Sequence, residues 1–511
     1  MSYSTYFVAT LASMIFGTAV ADDKESSVSA PTLDEALSAA RQRIQDLVDG
    51  FRRGSVSPVA TAQFEKDLQQ ALREEGRSVV EWTYNHLEPA DVNALPPAVH
   101  FEGSSYRRLA KKTRQKVSTL FGTISLQWLG YRAAAAEGEP VLFPLCRTLG
   151  VVQGTTPALL ECVARYQAES GATQQRTLTR LRQEHGVAMG VKRLRQVIGI
   201  VAEAMAEHRA EAQAEQVLAW LKQADASSGR HRPVLSVGRD GITLGVRIKG
   251  CSIYEVATTG TLTVHDRRGR RLGTVYLAQT PEPGQGTMSS QLTELLQEVL
   301  GRWQGPLPRL CYVTDAGDSE TSYYKKELRR LRHPRTGQRL EWFWVVDYYH
   351  ASERLWKMAE ALFGVGKQSW GWARKMQKLL LKPGGVGRLL HSAAALRGRR
   401  SLTGKRLAEF KRAYKYLQTR REHVRYAEYR RLGMPIGSGV TEAACKTVYT
   451  QRLKLSGMRW HKKGAQKILQ LRVILLSGVW SQVHERILKS YSEVKVGTPD
   501  QLVKPTAQKA A

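Results

Sequence analysis

Apolar positions such as Ala36, Ile44, Leu47 and Phe51 recur mostly at three- and four-residue spacing or its multiples, so the pattern predicts helix from residue 31 onward. The pair Pro96-Pro97 closes this stretch and makes 31–98 an N-terminal helical region. From Val99 to about Ala134 the pattern turns to β, with a basic strip (Arg107, Arg108, Lys111, Lys112, Arg114, Lys116) ahead of the apolar-rich run 117–128. Helix returns over 156–222. There, 178–184, the turn His185-Gly186-Val187 and 191–200 have the spacing of a helix-turn-helix, an outline that an ordinary helical hairpin shares. Residues 99–226 therefore read as a hairpin plus a helix-turn-helix-like DNA-binding region.

Ser227-Ser228-Gly229 and Pro233 mark a linker, after which β-rich runs at 234–237, 243–248 and 254–264 are joined by glycine-containing turns. Helix 289–303, strand 309–314, helix 321–331, strand 342–346 and a helix from His350 follow. That order predicts an α/β domain with a mixed sheet, its first part at 227–350. Residues 351–432 look wholly helical and basic, with Arg397, Arg399, Arg400, Lys405, Arg420, Arg421 and Arg425, and read as an insertion before the domain resumes at 433–490. Tyr and Trp residues interleave with those charges (Trp370, Trp372, Tyr414, Tyr416, Tyr426, Tyr429), which suits base stacking or helix packing equally. The tail 491–511 reads as disordered.

Composition narrows the class. Hydrophobic residues make up 42% and charged ones 24%, which excludes a collagenous or wholly disordered chain. The 77 Lys and Arg against 46 Asp and Glu leave +31, a self-repelling charge that a polyanion relieves, so nucleic acid is the first expected partner and a membrane surface the second. Five scattered cysteines with no C-x-x-C pair argue against a disulfide framework and a thiolate zinc site. Residues 1–30 are leader-like: positions 6–21 are uncharged and mostly apolar and end Ala19-Val20-Ala21. No Lys or Arg precedes them, as a signal peptide requires, so the expectation is a cytoplasmic protein at the nucleoid rather than an exported one. No other stretch reaches the roughly 20 apolar residues that span a bilayer.

Three acidic residues stand where a sheet edge would present them. Asp240 follows the first run, Asp315 ends the strand Tyr312-Val313-Thr314, and Glu442 opens a late helix after Gly437-Ser438-Gly439. Any one of these is a common turn residue or helix cap. If the first and fourth strands are neighbours, however, their terminal carboxylates stand side by side, and a helix-borne Glu completes an all-oxygen site for Mg2+. Two such ions, about 4 Å apart, activate a water or 3′-hydroxyl and stabilise the leaving oxygen in phosphoryl transfer. Asp347 and His350 form D-x-x-H one helical turn apart and read as an accessory pair, although a capping Asp and a packed His look the same. Gly364-Val365-Gly366-Lys367 lacks P-loop spacing, Gly284-Gln285-Gly286 lacks the third glycine of a dinucleotide fingerprint, and no zincin motif occurs.

The block Met434-Pro435-Ile436-Gly437-Ser438-Gly439-Val440-Thr441-Glu442-Ala443-Ala444-Cys445-Lys446, with Gln451-Arg452-Leu453-Lys454, Ser456-Gly457-Met458-Arg459-Trp460 and Gly464-Ala465-Gln466, resembles the ISKra family of bacterial insertion-sequence transposases, relatives of the Mutator-like DDE enzymes. The resemblance runs more weakly over about 60–480. It implies an RNase H-like catalytic domain with a helical insertion, two Mg2+ ions (or Mn2+) in a DDE triad of Asp240, Asp315 and Glu442, cleavage at terminal inverted repeats, and strand transfer into target DNA. Asp315 and Asp347 are the two candidates for the second member, and Asp315 is the preferred one because Asp347 belongs to the D-x-x-H unit. Lys446, Arg452, Lys454, Arg459, Arg399 and Arg400 are the expected DNA contacts, and a homodimer or larger assembly on two element ends is expected. Relatives often carry closely spaced cysteines before the helix-turn-helix; Gly130-Tyr131-Arg132-Ala133-Ala134-Ala135-Ala136 has none, so a zinc module is not expected. The alternative function is a non-catalytic remnant acting as a DNA-binding repressor or architectural protein.

Overall fold

Thr32 and Glu35 close a capping box: the Thr32 hydroxyl accepts from Glu35 N and the Glu35 carboxylate accepts from Thr32 N at 2.7 Å. This starts α1 (Leu33–Arg53), which packs on α2 (Pro58–Asn85) with the Phe51 and Phe64 rings stacked at 4.5 Å. The computed structural model describes residues 32–133, 141–490 and 495–496, so the leader-like residues 1–30 and most of the tail 491–511 lie outside the described residues. The chain divides into two compact units: one of residues up to Gln167, Thr173–Val201 and His484 onward, the other of Ala168–Ala172 and Ala202–Val483.

In the first unit, β1 (Ala98–Phe101), β2 (Ser104–Thr119) and β3 (Gly122–Ala133) form an antiparallel sheet. Asn85 ties the edge of β3, donating to Ser125 O at 3.1 Å and accepting from Gln127 N at 2.8 Å. Part of the segment expected to be disordered belongs to this sheet: Lys495–Val496 pairs with Val99 and His100 as its fourth strand, a backbone ladder that two residues of sequence cannot reveal. The basic strip on β2 is mixed. Arg107, Lys111, Arg114 and Lys116 are exposed, whereas Arg108 donates to Asn93 and Leu95 carbonyls and Lys112 lies 3.7 Å from the buried Glu88. After α3 (Pro144–Thr148) and α4 (Pro157–Ala168), Thr173 caps α5 (Gln174–His185), which ends on Gly186 in the left-handed region (φ 64). The long α6 (Val191–Ala226) begins with Lys192 and Arg195 exposed, while Arg193 is held to Gly154 O at 2.7 Å.

The second unit is α/β and carries a mixed five-stranded sheet, with β4 (Val234–Ile248), β5 (Cys251–His265), β6 (Arg271–Gln279), β7 (Arg309–Thr314) and β8 (Trp342–Val346) in the order β6-β5-β4-β7-β8. β4, β5 and β6 are antiparallel; β4, β7 and β8 run parallel. Two expected β runs, 234–237 and 243–248, are one strand. It stays continuous through Arg239-Asp240-Gly241 because those residues keep their ladder to Gly260, Thr259 and Thr258. A two-residue Lys249-Gly250 loop, both residues at positive φ, returns the chain into β5. The sequence reading missed β6, whose short apolar run 275–278 buries Val275, Leu277 and Ala278 in the core.

α7 (Gly286–Arg302) and α8 (Asp318–Lys326) make the connections into β7 and β8. After β8 come α9 (Tyr348–Phe363), α10 (Lys367–Leu380), α11 (Gly385–Gly398), α12 (Gly404–Thr419) and α13 (Tyr426–Arg431). Their apolar faces, among them Leu355, Met358, Leu389 and Phe410, join the core of the sheet. Tyr426 and Tyr429 are buried there, with hydroxyls donating to carbonyls of β8, so they serve packing rather than base stacking. Trp370 is exposed.

Candidate functional site

Sheet register sets three carboxylates in one row. The β4–β7 ladder ends at Gly238 and Val313, and two residues further on both strands stand Asp240 and Asp315. The β7–β8 ladder ends at Thr314 and Val346, and one residue further stand Asp315 and Asp347, whose N–H donates to Thr314 O at 2.8 Å. Asp240 thus lies inside β4 rather than past its end, at the point where parallel pairing stops and only the β5 ladder continues.

The three differ in what their oxygens already do. Asp347 is fully buried and caps α9, accepting from His350 N at 2.7 Å on one oxygen and from both the amide and the hydroxyl of Ser438 on the other. Burial alone would push its carboxyl up; hydrogen bonds from His350 and Ser438 outweigh that and hold it below the ordinary range. Asp315 accepts one local bond, from Gly317 N at 2.9 Å. Asp240 accepts from Gly241 N at 2.7 Å and from the Cys445 thiol at 3.4 Å. Burial pushes its carboxyl up, and the negative charges of Asp315 and Glu442 push it the same way.

Glu442 arrives from across the sheet on α14 (Gly439–Ala444). Gly238 makes room for it: a Cβ there would sit 1.9 Å from Thr441 Oγ1 and 2.5 Å from Thr261 Oγ1. Those two hydroxyls bond each other at 2.8 Å and pin α14 over β4 and β5. The chain continues as a π-helical turn, Cys445–Thr450, anchored by Tyr449, whose hydroxyl donates to Thr258 O and accepts from Gln279 N. Cys445, one turn after Glu442, is thereby laid against Asp240.

Among the described residues, the group whose ligand atoms all lie within 4.8 Å of one another is Asp347, His350 and Glu442. His350 Nδ1 stands 3.5 Å from Asp347 and 3.6 Å from Glu442. The Asp347 carboxylate raises the imidazole to about 9, so it is a cation at neutral pH. The Ser438 hydroxyl lies 2.9 Å from Asp347 and 2.6 Å from Glu442. One hydroxyl carries one proton, so Ser438 shares it between the two carboxylates and links them.

Sequence reasoning missed Glu320. It is buried in the first turn of α8, and a Cβ on Gly317 would lie 2.5 Å from its Oε2 and 3.4 Å from Asp315 Oδ1, so the two carboxylates converge over that glycine. Burial raises its carboxyl and the charge of Asp315 adds to the rise. Its only sequence signal was its position five residues after Asp315. The Asp315 segment is also strained: Ala316 has φ 59, held by Thr314 Oγ1 on its amide and Arg420 on its carbonyl, at 3.2 and 2.8 Å.

Of the expected DNA contacts, Lys446, Lys454, Arg459, Arg399 and Arg400 are exposed, Arg400 lying over the Phe363 ring. Arg452 is not available to a phosphate. It is 1% exposed with its guanidinium over the Trp460 ring, and burial lowers it to about 10. Its place in a basic run hid the fact that the π-helical turn rotates it inward.

The predicted triad has the donor chemistry of a hard divalent cation, but among the described residues the ligand atoms gathered within 4.8 Å of one another belong to Asp347, His350 and Glu442 rather than to Asp240, Asp315 and Glu442. Asp240, Asp315 and Glu442 offer oxygen alone, and the upward push on Asp240 by its two neighbours is the repulsion a dication removes. Asp347 has its oxygens committed to protein donors and fits a positioning role. No protein-family model matches the sequence, and no curated protein matches it.

Proposed function

We propose that this chain is a DDE transposase of an insertion sequence, similar to the ISKra enzymes in its C-terminal block, that binds terminal inverted repeats and performs Mg2+-dependent DNA cleavage and strand transfer. One observation carries the reading: Asp240 and Asp315 stand at matching positions two residues past the end of the parallel ladder, and Gly238 leaves room for the Glu442 helix to lie on β4 beside them. The order β6-β5-β4-β7-β8, three antiparallel strands followed by two parallel ones, supports an RNase H-like catalytic domain, with α9–α13 as the helical insertion before Glu442.

In this reading Asp240, Asp315 and Glu442 hold Mg2+, which when bound activates a water or 3′-hydroxyl and stabilises the leaving oxygen. Asp347 positions: it fixes Ser438, and through it Glu442, against the end of β8. His350, charged at neutral pH, offsets the carboxylates on that side. The charge of +31 and the exposed basic residues favour DNA as substrate, held by two or more copies because two ends must be joined. Such a chain works on DNA in the cytoplasm. No helix among the described residues is long and apolar enough to cross a membrane.

The test places the gene with its flanking DNA on a plasmid and follows Mg2+-dependent excision. Wild type excises, and Asp315→Asn loses roughly a thousandfold, several kcal/mol at about 1.36 kcal/mol per tenfold. If neither excises while both bind the flanks specifically, the chain is the non-catalytic DNA-binding remnant instead.

A further inference from the structure

Beside Asp315 the second unit has a small cavity whose charged side chains are all cationic. It measures about 280 Å3 and is lined by Arg354 from α9, Arg412, Lys415, Tyr416 and Thr419 from α12, and Arg420. At ~30 Å3 per water it has room for roughly nine, enough for one tetrahedral oxyanion and part of what carries it.

Most of these cations lack a countercharge. Arg412 is satisfied by Glu409 at 2.7 Å. Arg354 and Lys415 make no ion pair among the described residues, and Arg420 spends its guanidinium on Ala316 O and Thr419 while its Nε has no partner. The Tyr416 ring is flanked by two guanidiniums, Arg354 at 5.2 Å and Arg420 at 4.3 Å, which orients both arginines without neutralising either. Unpaired like charges crowded into one concavity cost energy unless an anion joins them. Their placement is also tied to the carboxylate row: Tyr416 donates to Asp315 O and Arg420 to Ala316 O, both at 2.8 Å.

We infer that this cavity binds a phosphate group, supplied by the nucleic-acid strand whose neighbouring phosphodiester lies at the carboxylates. The inference rests on the proposed function for its source, while its chemistry, an oxyanion between two guanidinium forks and an ammonium, stands on the cavity itself. Two jobs follow for one pocket: it adds affinity, and it fixes how far along the strand the scissile bond sits from the Asp315 turn.

The experiment measures binding of a labelled duplex from the DNA flanking the gene, in EDTA so that no cleavage intervenes, across a salt series. The variants are Arg354→Ala with Lys415→Ala, the charge-keeping Arg354→Lys with Lys415→Arg, and Lys375→Ala with Lys378→Ala, two exposed positions of α10, as a charge-matched control. In parallel, inorganic phosphate is titrated into each and followed by thermal shift. The expected result is a loss of about tenfold or more for the alanine pair, a salt slope shallower by about one phosphate, partial rescue by the charge-keeping pair, and near-wild-type binding by the control. Pocket-dependent phosphate binding with unchanged duplex affinity keeps the oxyanion site and assigns it to free phosphate. Equal loss in the alanine and control pairs, with no pocket-dependent phosphate shift, overturns the proposal, as does selective capture of an acidic peptide. Because binding is read without metal, a catalytically dead wild type that still shows the selective loss would sink the cleavage reading and leave the pocket standing.

Discussion

Gly238 and Thr441, 203 positions apart in sequence, are in contact so close that a methyl group on the glycine would fall 1.9 Å from the threonine hydroxyl. The strand bearing Asp240 and the helix bearing Glu442 meet at this point. Gly238→Ala is expected to destabilise the fold by about 1–3 kcal/mol, as overpacking does, and to cut excision far more than that loss implies, because α14 must lift. Thermal melting beside plasmid excision checks it; full activity in a folded G238A protein would show that Glu442 is not positioned here.

His350 supplies a pH dependence with a definite sign. Its imidazole is raised to about 9, first by Asp347, against about 6.5 in an unfolded chain, so its contribution to stability is complete below about pH 6.5 and disappears as pH rises through about 9. Wild type should therefore lose stability across that window in EDTA, and His350→Gln should lose less. NMR titration of the ring in Asp347→Asn should bring the midpoint down toward the ordinary value. An unmoved midpoint would mean that Asp347 does not hold the proton.

Glu320 is a buried carboxylate beside Asp315, and its raised carboxyl marks a charge that costs stability once pH passes its ordinary value. Glu320→Gln should raise the melting temperature of the metal-free protein at neutral pH. It should also raise the Mg2+ concentration needed for half-maximal cleavage, since one negative charge leaves the site. A variant with both quantities unchanged would place Glu320 outside the metal's field.

Arg452 and Lys454 separate burial from binding. Arg452→Gln should cost about 2–3 kcal/mol of stability, the range for disrupting a buried polar packing partner, and leave the salt dependence of DNA binding intact. Lys454→Ala should do the reverse, with stability near wild type and a salt slope reduced by about one. Identical behaviour of the two in both assays would contradict the assignment.

Much of the architecture was legible in the chain because it is local. Strands 309–314 and 342–346 stand out as short apolar runs, 351–432 as a helical and basic stretch, and His185-Gly186-Val187 as a turn between helices, which Gly186 makes by ending α5 in the left-handed region. Asp315 and Glu442 were legible as a strand-end and a helix-start acid, a property of nearest neighbours in sequence, whereas Asp240, expected past a strand end, lies inside β4 because its ladder to β5 continues. Register was not legible. That Asp240 and Asp315 share a row follows from hydrogen bonds between strands 75 positions apart, and the Gly238 gap has meaning only once a helix lies on it. Burial also came from the tertiary structure alone. It turned Arg452 inward, committed the oxygens of Asp347 to Ser438 and His350, and brought Glu320 beside Asp315, because solvent exclusion and close packing depend on the side chains that surround a residue and not on those that flank it in the chain.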